Sequence, residues 1–67
     1  MDEQTGVVIY ASRKDRIARI TSDGVDYLAA QLDPKIRVSV GQTVAFYPKE
    51  FSFGERVLYS AEHVRPV

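Results

Sequence analysis

The apolar positions of this chain fall in short alternating or β-branched runs, and no stretch keeps the spacing of an amphipathic helix. After a polar start over residues 1–5, expected as a loose tail, the run Gly6-Val7-Val8-Ile9-Tyr10 predicts a first strand. Ser12-Arg13-Lys14-Asp15 reads as a polar turn into a second strand, Arg16-Ile17-Ala18-Arg19-Ile20-Thr21. Asp23-Gly24 is a strong hairpin signal, because both residue types tolerate the positive φ that tight turns need. Val25-Asp26-Tyr27-Leu28-Ala29 then forms strand three.

The middle of the chain is less regular. Ala29 to Leu32 has room for one helical turn before Pro34 stops it. Ile36-Arg37-Val38-Ser39-Val40 alternates, which fits either a strand or an extended connection. Gly41-Gln42 turns into strand four, Thr43 to Tyr47, which Pro48 is expected to end, with a loop over Lys49 to Gly54. Strand five runs from Glu55 to Pro66 with a bend near Ser60. Short strands at this spacing hide their edges best by closing, so the expectation is an all-β fold: a small five-stranded antiparallel barrel occupying residues 1–67 as one domain.

Composition narrows the function classes. A chain of 67 residues that is 45% hydrophobic and 27% charged suits one ordinary folded domain. It has no cysteine, which excludes disulfides, thiolate metal sites and thiol nucleophiles. A small domain without such staples points to the cytoplasm. No apolar run nears the roughly 20 residues of a membrane span, and the acidic start is unlike a signal peptide, so no membrane partner is expected. Nine basic residues balance nine acidic ones. Any hold on a polyanion must therefore come from a local patch and be weak and salt-sensitive.

The order of several short segments is similar to that of bacterial cold-shock proteins, a branch of the OB-fold. Gly6-Val7-Val8-Ile9-Tyr10 resembles their opening strand, with Tyr10 at the position of the family's tryptophan. Val40-Gly41-Gln42-Thr43-Val44-Ala45-Phe46 resembles the Gly-Gln-x-Val-x-Phe fourth strand, and Ser60-Ala61-Glu62-His63-Val64-Arg65-Pro66 the closing Ala-x-x-Val strand. With Asp23-Gly24 between strands two and three, the likeness covers most of the chain in order. The ribonucleoprotein motifs depart from the family: Ile17 and Arg19 stand at its stacking phenylalanines, and Tyr27-Leu28-Ala29-Ala30 has one aromatic ring and no histidine. The resemblance implies a barrel with a largely dismantled nucleic-acid platform. An SH3-like barrel suits the strand count almost as well.

Candidate binding residues follow from this frame. Arg13, Lys14, Arg16 and Arg19 cluster against one acid, Asp15, and suit phosphates and base faces, though a solvated strand face carries the same charges. Tyr10 and Tyr27 offer rings for stacking; either also suits the barrel margin, and the face taken by Tyr27 depends on register. Phe51 and Phe53, one residue apart, share a face if extended, and would bind bases or a protein, or fold back as a plug. His63 alone makes no metal site, and Asp23, Asp26 and Asp33 lie near turns, where aspartate bonds backbone amides. No catalytic grouping, cofactor motif or small-molecule site is evident. The expected function is weak, sequence-tolerant binding of single-stranded RNA or DNA by a monomer or weak dimer. The alternative is a barrel that docks a regulatory, transcription or translation protein.

Overall fold

The computed structural model describes residues 2–67 and contains five strands: β1 (Gln4–Ser12), β2 (Ile17–Ser22), β3 (Val25–Ala29), β4 (Thr43–Phe53) and β5 (Arg56–Pro66). They close into a barrel in the order β1-β2-β3-β5-β4, with β4 pairing back onto β1. The expected all-β five-stranded barrel is thus the fold. The closed order is consistent with a small OB-type or SH3-like barrel. One pairing departs from the antiparallel expectation: β3 and β5 run parallel and, among the described residues, meet at a single pair, Leu28 opposite Ser60.

Local chemistry explains the turns. Ser22 pairs with Val25 across a two-residue loop in which Asp23 and Gly24 have φ of 51° and 76°, the left-handed pair that a type I′ turn requires. Phe53 pairs with Arg56 across Gly54-Glu55, and Gly54 supplies the positive φ of 61° at the first turn position.

Two β-bulges bend the sheet into a cylinder. Ile9 is the extra residue on β1 between the pairs Val8–Ile20 and Tyr10–Arg19. On β5 the register slips between Ala45–Arg65 and Tyr47–Glu62, where His63 has a φ of 52°. The strands enclose Val8, Ala18, Ile20, Tyr27, Ala29, Val44, Phe46, Ala61 and Val64. Phe46, Ile20, Val8 and Val44 are the largest fully buried side chains.

Three expectations are corrected. Residues 4 and 5 are not tail: Gln4 and Thr5 pair with Phe46 and Ala45, and the buried Ser22 hydroxyl donates to the Thr5 carbonyl at 2.7 Å. β4 does not stop at Pro48 but runs on to Phe53, because β1 covers it only as far as Phe46. Beyond that point β4 has an open edge, where a missing N–H costs nothing. Residues 30–42 hold no helical turn, and Gln31 takes a φ of 57°; of the two readings of Ile36 to Val40, the connection and not the strand is what forms. This connection returns to β1 through hydrogen bonds from Val8 N to the Gln42 carbonyl and from Gly41 N to the Val8 carbonyl.

The N-terminal segment is also tied down by charge. The Arg65 guanidinium donates to both Glu3 carboxylate oxygens, at 2.7 and 2.9 Å. These hydrogen bonds hold the Glu3 carboxyl below its ordinary range, with partial burial opposing them. A carboxyl whose folded pKa is depressed contributes stability above its unfolded pKa, about 4.3, and loses it as pH falls through the folded value. Urea midpoints should therefore fall less between pH 6 and pH 3 in Glu3→Gln than in the parent. Equal falls in both would show that this pair does not couple to folding.

Candidate nucleic-acid interface

The barrel register assembles one continuous rung on the outer surface. Tyr10 on β1 lies opposite Arg19 on β2, and Arg19 opposite Leu28 on β3. Leu28 lies opposite Ser60 on β5, and Ser60 opposite Lys49 on β4. Facing residues of paired strands share a face, so these five side chains cross every strand of the barrel. Tyr10 and Leu28 are 49% and 47% exposed, which leaves a ring and an apolar platform open to solvent.

Charge on this face is balanced. Arg19 approaches Asp26 at 3.6 Å and Lys49 approaches Glu62 at 3.7 Å, with all four side chains roughly half exposed. Such pairs contribute about 0.2–1 kcal/mol, so an incoming phosphate competes with them readily. Lys49 also sits 5.1 Å from the centroid of the Phe51 ring. The unpaired positive charge lies beside the rung, in the β1–β2 turn. Arg13, Lys14 and Arg16 there have no acidic partner within 4.0 Å among the described residues. Asp15 instead bonds Ser12, accepting its hydroxyl at 3.2 Å.

The expected site residues are thus divided. Tyr10, Arg13, Lys14, Arg16 and Arg19 are exposed on one side of the barrel, along β1, its turn and β2. Tyr27 is not among them. Its turn register sets it opposite Ile20, facing inward, and its ring packs against Phe46 at 4.9 Å and Tyr59 at 5.7 Å. It is 8% exposed and offers no face to a base.

Phe51 and Phe53 lie on the extension of β4, not in a loop, and they do not plug the barrel: they are 37% and 62% exposed. They project on one face of a two-stranded arm, with Leu58 opposite Phe51. His63 is exposed and meets the Tyr47 ring edge-on at 6.1 Å. No metal-binding cluster of His, Asp or Glu occurs among the described residues.

Lys49 and Ser60 were not legible as site residues, because their place in the rung depends on the parallel β3–β5 contact, whereas Leu28 is set opposite Arg19 by the Asp23-Gly24 turn. Arg37 was also missed. It lines a cleft with Arg13 and Arg16, although it is more than twenty positions from either in sequence. Among the described residues no helix is long and apolar enough to cross a membrane. Comparison of the chain with protein-family models, curated proteins and solved structures gives no match.

Proposed function

We propose that this barrel is a binding module, not an enzyme, that holds single-stranded nucleic acid weakly and with little sequence preference on its outer face. The observation that carries the reading is the rung Tyr10–Arg19–Leu28–Ser60–Lys49, flanked by the unpaired cations of the β1–β2 turn. A ring stacks on any base, and guanidinium groups contact phosphates whatever the sequence. Four inter-strand gaps of about 4.8 Å give a track of roughly 19 Å, enough for about four nucleotides. The likeness of the strand order to cold-shock proteins supports the same reading, with arginine standing in for lost rings.

The test is anisotropy of a labelled oligonucleotide at two salt concentrations. About three phosphate contacts on a single strand give a log–log salt slope near −2, so affinity should fall roughly 10- to 20-fold from 50 to 200 mM salt. Tyr10→Ala should weaken binding on the order of tenfold. Arg16→Glu/Arg19→Glu should remove it at micromolar protein. Unchanged binding in that double variant would remove the proposal.

A second reading is supported by the arm, where Phe53 and Leu58 are 62% and 54% exposed beside Phe51. An apolar patch of this kind suits a protein partner. If Phe51→Ser/Phe53→Ser leaves oligonucleotide affinity intact but abolishes a nuclease-resistant complex, the arm and the rung serve different ligands.

A further inference from the structure

At the end of the rung, a cleft of about 150 Å³ opens between the β1–β2 turn and the connection after β3. Its walls include Ile17, Leu32 and Ile36, and Arg13, Arg16 and Arg37 stand around it. Its frame is built by backbone hydrogen bonds. Leu32 N donates to the Arg16 carbonyl at 3.0 Å, joining the two loops directly, and Arg16 N donates to the Arg13 carbonyl at 3.3 Å. Arg16 holds a φ of 55°, uncommon for a bulky residue, in this arrangement. On the other wall, Ile36 N donates to the Asp33 carbonyl at 2.9 Å, and an Asp33 carboxylate oxygen accepts from Lys35 N at 2.9 Å.

None of the three arginines has an acidic partner within 4.0 Å among the described residues. Asp33, the one acid lining the cleft, is already engaged by the Lys35 amide. Three cations around an apolar slot form a surface that wants a flat ring joined to an anion. A cavity of about this volume takes up one benzene-sized ring, the scale of a single planar base.

We infer that this cleft takes a terminal phosphorylated nucleotide of the bound strand. Its base lies between the apolar walls and its phosphate on Arg13, Arg16 and Arg37. The inference rests on the nucleic-acid reading above and extends it, because Ala11 and Ser12 of the cleft directly follow Tyr10 on β1. A strand leaving the cleft therefore passes onto the rung. An acidic peptide would satisfy the arginines but leave the apolar walls uncovered.

Amide chemical shifts of the whole chain, followed with four probes, test this. The probes are uridine 5′-monophosphate, inorganic phosphate, a tetraglutamate peptide, and a tetrauridylate carrying a phosphate at its 5′ end, its 3′ end or neither. The expected result is that the mononucleotide shifts residues 12–17 and 32–38 more than phosphate or the peptide does. A phosphate at one end should raise oligonucleotide affinity on the order of tenfold. Arg37→Ala, an exposed position in a connection, should abolish that increment while lowering the affinity of the unphosphorylated oligonucleotide far less, and an equal loss for both would overturn the assignment of the phosphate to this cleft.

If oligonucleotides shift Tyr10 and Arg19 but leave the cleft silent, the cleft inference is overturned and the rung stands. If the mononucleotide shifts the cleft while no oligonucleotide binds the rung, the cleft site stands and the rung reading falls. Silence to every probe overturns both. A peptide response equal to that of the mononucleotide overturns the nucleotide assignment.

Discussion

Phe46→Ala is expected to leave the chain largely unfolded in the absence of a stabilising ligand. The ring is fully buried, packs against Tyr27 at 4.9 Å, and lies on the stretch of β4 that closes the barrel onto β1. Removing a buried phenylalanine side chain costs about 3–5 kcal/mol, part transfer and part cavity. A domain of this length has a total stability of about 3–10 kcal/mol. Nothing else in the core replaces the ring, since six of the nine clustered core residues are alanine or valine. Far-ultraviolet circular dichroism through a urea titration measures the loss. A cooperative transition with a midpoint near that of the parent would show that the interior closes without the ring.

Gly6→Ala should be nearly as damaging, although it adds only one methyl group. Gly6 sits where β1 passes from β4 to β2: it pairs with Val44, and the next residue, Val7, pairs with both Thr43 and Thr21. A Cβ there would lie 2.6 Å from the Thr21 carbonyl oxygen and 2.7 Å from Cγ2 of Ile20, with Phe46 at 3.2 Å. The first contact is backbone and cannot rotate away, so the β1–β2 ladder itself must shift. Overpacking of this kind costs about 3 kcal/mol at the upper end of its usual range. With a urea m-value of about 1 kcal/mol/M for so small a domain, the midpoint should drop by about 3 M. A drop below about 0.5 M would mean that the crossing has slack. Enlarging Gly24 is a separate case, because its constraint is φ and open space surrounds it.

The contrast between these glycines shows what sequence reasoning reaches and what it does not. The Asp23-Gly24 turn is legible because its requirement is local, a positive φ over two residues. Strands one to three and the core alternation follow from patterns of the same short range. Gly6 looks like any glycine opening a strand; its real constraint comes from a carbonyl fifteen positions away. Tyr27 was recoverable in principle. A two-residue turn sets Ser22 opposite Val25, which sets Tyr27 opposite the inward Ile20.

The length of β4 was hidden by Pro48, since proline excludes a hydrogen-bonded central position but not an open edge, and the edge exists only once β1 is seen to diverge. For the candidate site, the basic β1–β2 turn and Tyr10 were visible as residue types. Leu28 follows from the same two-residue turn as Tyr27, whereas Lys49 joins them only through closure and Arg37 only through the path of the connection after β3. Fold class was therefore local information, and the composition of the interface was not.

The single-pair junction of β3 with β5 has a thermodynamic meaning for any ligand laid across it. The proposed track runs over Leu28 and Ser60, on either side of the least-stitched joint of the cylinder. A strand that grips Arg19 on one bank and Lys49 on the other acts as a suture, favouring the shut form over any form parted along that line. By mass action, a ligand at ten times its dissociation constant adds about 1.4 kcal/mol to folding. For so small a domain this is a sizeable share of the total, so occupancy and integrity of the barrel are linked quantities, and even feeble association firms the molecule at its weakest join.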